Sequence, residues 1–281
     1  MSNEYLGPGT FLFQWGRLLG IGGLGRVDEV TVTWTNGSYP PGTRLACKRL
    51  NGKWKAHPEM QKRFEREIAA VKTMAHPGIV AYCGENISGG SERFYLMPLY
   101  PTSLRHELAN HQEGFPLLNV ARFGLELVAA LEHAHARGFI HRDLKPENVL
   151  LDANKKAIIA DWGLGYFVHR ESVVLDHLTV GGLGTAYYCS LEQWTTGKCD
   201  KNGDVYSLGL MLAELLAGRQ VPIQLCMGIT HDVLTGLHPA SRYMNTILKW
   251  MTESHRERRA QSMGDIRTAL SRVVGLCSVA A

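Results

Sequence analysis

The run His141-Arg142-Asp143-Leu144-Lys145-Pro146-Glu147-Asn148, followed by Asp161-Trp162-Gly163, decides how the rest of the chain is read. Between the two lie Val149-Leu150-Leu151 and Ala157-Ile158-Ile159-Ala160, each short, apolar and strand-like, joined by the polar run Asp152-Ala153-Asn154-Lys155-Lys156. A hairpin centred near Asn154 and Lys155 is expected, pairing Leu150 with Ile159 and Val149 with Ala160. Asn148 and Asp161 then face each other at its open end, with Asp143 and Lys145 on the loop leading in. Two side-chain oxygens at one hairpin mouth suit Mg²⁺, which completes its octahedron with phosphate and water. A carboxylate beside such a metal can orient a hydroxyl, and a lysine can neutralise a transferring phosphoryl group.

Upstream, residues 11 to 50 read as strands broken by turns. Phe11 to Leu19 leads into Gly20-Ile21-Gly22-Gly23-Leu24-Gly25-Arg26-Val27, and Val30, Val32 and Trp34 continue with period two. Asn36-Gly37 and Pro40-Pro41-Gly42 mark turns before Arg44-Leu45-Ala46-Cys47-Lys48. In a dinucleotide-binding fold the glycines would open a helix; here strand follows them, which favours a flap whose backbone approaches phosphates without Cβ obstruction. Met60 to Ala75 is expected to be helical, because Phe64, Ile68, Val71 and Met74 recur at three- and four-residue spacing. Glu67 lies near that apolar face and needs a cationic partner, since burying a lone carboxylate is costly. Lys48 is the natural candidate.

Further strands are expected between residues 79 and 97, around Ser88-Gly89-Gly90-Ser91, and Pro98-Leu99-Tyr100-Pro101 interrupts regular structure. Helical segments are expected at Leu104–Asn110, Leu117–Ala136, Gly203–Ala217, Tyr243–Thr252 and Ile266–Val274. The chain has 281 residues, enough for one large or two smaller lobes, and a formal charge of +4 too dispersed to argue for nucleic acid. Six cysteines without a CxxC pair read as reduced thiols in a cytoplasmic protein. No stretch approaches the length of a membrane span, and Met1-Ser2-Asn3-Glu4 lacks the basic start of a signal peptide.

From about Phe13 to Val274 the chain resembles the eukaryotic-type serine/threonine protein kinases, particularly bacterial members. The resemblance implies an α+β, bilobal fold: a kinase domain over 1–281 with an N-lobe at about 10–97, a hinge at 98–102 and a C-lobe at about 103–277. It implies ATP and Mg²⁺ (or Mn²⁺) as cofactors and a protein substrate with a serine or threonine acceptor. Gly20, Ile21, Gly22, Gly23, Gly25 and Val27 match the nucleotide flap, and Lys48, paired with Glu67, matches the phosphate-positioning lysine. Asp143 matches the catalytic base, Lys145 a residue typical of serine/threonine kinases, and Asn148 and Asp161 the metal ligands. By the same resemblance Val27, Ala46 and Leu150 sandwich the adenine, Met97 guards the pocket behind it, and Tyr100 offers backbone hydrogen bonds. Asp204 braces the catalytic loop, and Val71, Tyr82, His141 and Trp162 form an internal spine.

Three features depart from the family pattern. Trp162 replaces phenylalanine; Ser190-Leu191-Glu192-Gln193 stands where Ala-Pro-Glu is usual; and Pro222 to Leu248 is short, implying a trimmed docking helix. Arg258 falls where the family's buried partner of Glu192 is expected. Arg142 is expected to read a phosphate on the segment Leu164–Ser190, whose hydroxyls are Ser172, Thr179, Thr185 and Ser190. Thr179 is the favoured autophosphorylation site and Ser172 the alternative. Glu147, as in some members, is a candidate for favouring basic residues upstream of the acceptor. A catalytically silent scaffold and a small-molecule kinase of the same fold are the competing readings.

Overall fold

A computed structural model of the chain describes residues 3–7, 9–22, 25–35, 37–86, 93–162, 187–197, 199–223 and 227–279. They fall into two compact units, Met1–Tyr100 and Pro101–Ala281.

The first unit is an antiparallel sheet with one long helix. Its strands are β1 (Asn3–Gly7), β2 (Gly9–Ile21), β3 (Gly25–Thr35), β4 (Arg44–Leu50), β5 (Gly84–Glu85) and β6 (Phe94–Pro98), in the order β1-β2-β3-β4-β6-β5. The sequence reading began its strands at Phe11 and missed β1. Five residues of mixed polarity carry no periodic signal, and β1 is a strand because it pairs with β2 from Asn3↔Phe13 to Gly7↔Gly9. Side chains alternate between faces along a strand. Phe11, Phe13, Val30, Val32, Leu45, Cys47, Phe94 and Leu96 accordingly build an apolar core on one face. The opposite face carries Val27, Lys48 and Tyr95 in one cross-strand row and Glu29, Ala46 and Met97 in the next.

Helix α1 (Pro58–Thr73) belongs to that second face, where the Phe64 and Tyr95 rings lie 6.0 Å apart. Proline in its first turn sacrifices an amide that would have no helical partner anyway. Glu59 near the N-terminus and Lys72 near the C-terminus complement the helix dipole. Met60, Phe64, Glu67, Ile68 and Val71 form its buried stripe.

The second unit is mainly helical: α2 (Leu104–Ala109), α3 (Leu117–Ala136), α4 (Leu191–Thr196), α5 (Lys201–Ala217), α6 (Pro239–Met251) and α7 (Met263–Val279). Every residue of α5 from Asn202 to Leu216 is buried, so it is the central helix rather than an amphipathic one. Gly209 permits close packing there, since a Cβ at that position would lie 2.7 Å from Thr252 Cγ2 and 2.9 Å from Met251 Cβ. The described residues of 218–238 contain no helix, and no described helix is long and apolar enough to cross a membrane.

A small sheet, β7 (Thr102–Ser103), β8 (Val149–Leu151) and β9 (Ala157–Ile159), carries the hairpin. Its register differs by one residue from the expected one: Val149 pairs with Ile159, Leu150 with Ile158 and Leu151 with Ala157. The reason is the turn. Lys155 adopts a left-handed conformation (φ 61°), and Asp152 and Lys156 close the loop through Asp152 N–H to Lys156 O at 3.1 Å. Three residues thus lie in the loop, not two, as is common when a turn ends in a left-handed residue. The Asp152 carboxylate accepts from the Asn154 and Lys156 amides at 2.8 Å each.

Candidate active site

In the first unit the functional candidates gather on one sheet face. Lys48 Nζ lies 2.6 Å from Glu67 Oε1, and both side chains are almost fully buried, at 3% and 0% exposure. The Tyr95 hydroxyl donates to the same oxygen at 2.8 Å. Taking both charges out of water is unfavourable, and the pair persists because each offsets the other's desolvation. The sequence reading missed Tyr95; its signal was its position two residues before Met97, on the face that carries Lys48.

The Lys48 stem runs along the flap. A Cβ at Gly25 would sit 2.8 Å from Lys48 Cε, so glycine there lets the lysine reach Glu67. At the flap tip the Gly22 amide donates to Gly25 O at 2.8 Å, with Gly20, Ile21 and Gly22 exposed; Gly23 lies outside the described residues. Ala46 and Met97 are directly opposed and buried, while Val27 and Tyr100 are half-buried. Of the spine candidates in this unit, Val71 is buried, and Tyr82 is half-buried with Lys72 Nζ 5.3 Å from its ring centre.

In the second unit the chemistry sits on a single loop. Lys145 Nζ is 2.9 Å from Asp143 Oδ2, and Asn148 Nδ2 donates both to Asp143 O at 2.7 Å and to Asp143 Oδ2 at 3.0 Å. With the Asn148 amide nitrogen committed to Asp143, its carbonyl oxygen is the atom left to serve as a ligand. Asp161 follows β9 with φ 61°, and Leu150 is half-buried on β8. Two hard oxygens from an amide and a carboxylate are a donor set that fits Mg²⁺, which takes few protein ligands and keeps waters and phosphates.

Beneath the loop lies Asp204 on α5, with no exposed surface. It accepts from the His141 amide at 2.9 Å and the Arg142 amide at 2.8 Å. His135 Nε2 reaches the same carboxylate at 2.7 Å. Arg142 is left-handed (φ 68°), a costly conformation for a residue with a Cβ, and the two amide bonds to Asp204 hold it. Gln193 Nε2 donates to Arg142 O at 2.8 Å from α4. The Asp143 amide donates to His141 Nδ1 at 3.3 Å, which leaves Nε2 as the protonated nitrogen bonding Ala160 O at 2.7 Å. The Trp162 ring packs edge-on against His141 with centroids 4.9 Å apart, and its Nε1 donates to Ile159 O at 3.2 Å. Neither His135 nor Gln193 was picked out from sequence as a brace of this loop.

The partner of Glu192 is Arg259, not Arg258. Arg259 is fully buried and meets both Glu192 oxygens, at 2.6 and 3.1 Å, whereas Arg258 is exposed. Arg259 is also tied to the carbonyls of Glu253 at 2.8 Å and Asn202 at 2.9 Å, which fixes the inward direction one residue later than expected. Burial alone would raise the Glu192 carboxyl, but hydrogen bonding and charge from Arg259 outweigh it and hold the group below its ordinary value. Ser190 is buried at the start of α4. Gly163, Ser172, Thr179 and Thr185 lie outside the described residues.

The family model of the protein kinase domain matches residues 13–263. The chain belongs to the protein kinase family. It is 30% identical over 210 residues to a protein named as a probable serine/threonine-protein kinase of Streptomyces coelicolor, covering 74% of this chain and 30% of that protein. It is 28% identical over 228 residues to serine/threonine-protein kinase PknD of Chlamydia pneumoniae, covering 71% of this chain and 23% of that one. The chain thus spans between 23% and 30% of the length of these relatives. Its fold matches the PknI kinase domain of Mycobacterium tuberculosis with a TM-score of 0.68 at 21% identity, covering 93% of this chain and 95% of that one.

Proposed function

We propose that this chain is an ATP-dependent serine/threonine protein kinase that transfers the γ-phosphoryl group of ATP to a protein hydroxyl. The observation that carries the reading is the Asp143–Lys145–Asn148 cluster, a carboxylate, an ammonium and an amide on one loop held from below by Asp204. Asp143 orients the acceptor hydroxyl and takes its proton, and Lys145 faces the charge of the group in transfer. Asn148 and Asp161 would hold Mg²⁺, which when bound would supply neutralisation of phosphate charge. Lys48, positioned by Glu67, binds the phosphates under the flap of Gly20, Ile21, Gly22, Gly23 and Gly25. In the first unit Val27, Ala46 and Met97 would face adenine, with Tyr100 contributing backbone hydrogen bonds; in the second unit Leu150 is the residue assigned to that role. Positioning and preorganised charge supply most of the acceleration in this chemistry.

Autophosphorylation at Thr179, with Ser172 as the alternative, extends the proposal; a phosphate adds about −1.5 to −2 charges and can order a segment against an arginine such as Arg142. Residues 1–281 are read as one catalytic domain with lobes at about 10–97 and 103–277 and a hinge at 98–102. Cytoplasmic placement rests on the cysteines, of which Cys47, Cys83, Cys189, Cys199 and Cys277 take part in no disulfide among the described residues. Intact-mass analysis of purified protein with Mg-ATP tests the activity: wild type gains phosphate, mapped to Thr179, and Asp143→Asn gains none. A wild type that stays unmodified and phosphorylates no added protein would instead indicate a scaffold.

A further inference from the structure

The catalytic-loop acid that could attract basic substrate residues is already occupied. Arg105, on α2, directs Nε to Glu147 Oε1 at 2.8 Å, Nη1 to Glu214 Oε1 at 2.7 Å and Nη2 to the Tyr188 hydroxyl at 2.8 Å. The Tyr188 hydroxyl in turn donates to Glu214. All three guanidinium nitrogens are therefore engaged, two of them by buried groups: Glu214 is 1% exposed and Tyr188 3%. Glu147 is the open end of the network, at 45% side-chain exposure.

An exposed ion pair by itself contributes little, and an incoming peptide arginine could displace such a partner. Arg105 is different because its fork is anchored on the inner side. Burial works against its charge, but Glu214, Tyr188 and Glu147 together outweigh that and hold it charged. Burial and the neighbouring Glu214 both raise the Tyr188 phenol, which keeps it a donor. Glu147 consequently faces a fixed cation, and a second cation arriving there meets repulsion from Arg105 as well as attraction from Glu147.

The location gives this a consequence. Glu147 adjoins Asn148, whose amide touches Asp143. An extended peptide advances about 3.3 Å per residue, so residues a few places from a hydroxyl at Asp143 pass Glu147. We infer that Arg105 is a specificity-determining residue: by neutralising Glu147 it removes selection for basic residues beside the acceptor, so that the kinase takes hydroxyl-bearing segments with neutral or acidic flanks. This rests on the kinase reading above.

The experiment compares kcat/KM for a serine peptide carrying arginines at the second to fourth upstream positions with that for its alanine counterpart. Wild type is expected to show a ratio within about threefold, and Arg105→Gln a ratio of about tenfold or more in favour of arginine. Arg105→Gln/Glu147→Gln should lose the gained preference. A wild-type ratio above about tenfold, or a folded Arg105→Gln with an unchanged ratio, overturns the inference. Should Arg105→Gln fail to fold, Glu147→Gln decides: its ratio should equal that of wild type, and a lost arginine preference would show that Glu147 selects despite Arg105. Fluorescence anisotropy with the labelled arginine peptide, its serine replaced by alanine, needs no phosphoryl transfer. Absent transfer by wild type overturns the kinase reading, while the same comparison by anisotropy still decides the role of Arg105.

Discussion

Each unit of the molecule holds a lysine against a carboxylate, and the two pairs are built in opposite ways. Lys48 and Glu67 are nineteen residues apart, come from a strand and a helix, and are almost wholly buried. Lys145 and Asp143 are two residues apart on one loop and remain 17% and 18% exposed. A buried pair cannot rearrange without stranding a charge in an apolar interior, which suits a lysine whose task is to stay in place. An open pair can exchange partners with an incoming hydroxyl or phosphate, as proton transfer requires. The open pair is nonetheless held, because rigidity reaches its loop through backbone amides bonded to the buried Asp204. Position is secured by burying the pair itself in one unit and by burying its support in the other.

The severest test removes that support. Asp204→Ala strips acceptors from two amides and His135; bonds to a charged group are worth about 1.5–3 kcal/mol each, so a loss of at least about 4.5 kcal/mol is expected in urea denaturation, together with loss of turnover. A variant destabilised by less than about 1 kcal/mol would show that the loop holds itself and break the contrast. Lys48→Met leaves Glu67 buried without its cation and should cost about 3–5 kcal/mol, with loss of the thermal stabilisation given by Mg-ATP. Adding Glu67→Leu should restore part of the stability but none of the nucleotide response. If the double variant is no more stable than the single, burial of charge is not what distinguishes this pair.

Asp161→Asn addresses the open site. It should lower turnover by about 100-fold or more, about 2.7 kcal/mol of barrier, while changing unfolding free energy by less than about 0.5 kcal/mol. A smaller effect on rate with a larger one on stability would move Asp161 to the structural side. The mildest test concerns Arg259 and Glu192. Arg259→Ala should destabilise by about 3 kcal/mol, near the lower end for breaking a buried pair, because Glu192 keeps some exposure; Arg258→Ala should stay within about 0.5 kcal/mol. The Glu192 carboxyl is depressed in the folded state. Its contribution is therefore fully present above its unfolded value of about 4.3 and is lost as pH falls through the lower folded value. Urea titrations of Glu192→Gln should show less acid sensitivity than wild type below about pH 5.

Legibility followed the range of the interactions. The Asp143–Asn148 loop could be read because its members lie within six consecutive residues and its spacing alone places the polar groups together. Helix α3 was read at its observed bounds, Leu117 to Ala136, because a long apolar period leaves little freedom. The hairpin register was missed by one, since the left-handed conformation of Lys155 has no marker as plain as Asn-Gly. Arg258 was expected where Arg259 lies because Arg256-Glu257-Arg258-Arg259 is uniformly polar and its inward member is selected by the carbonyls of Glu253 and Asn202.

The order of residues alone determined that this chain makes a strand-rich and then a helical region, with a glycine-rich turn between two strands, an inward Glu67 and a loop carrying Asp143, Lys145 and Asn148. Those features are set by periodicity, turn chemistry and local spacing, which act over a few residues. Only the tertiary structure decided that Tyr95 shares Glu67 with Lys48, that His135 and Asp204 meet across sixty-nine residues, and that Arg105 closes Glu147 against Glu214 across more than a hundred. Such partners are chosen by which buried polar group most needs compensation once the cores have packed, and that need does not exist in the unfolded chain.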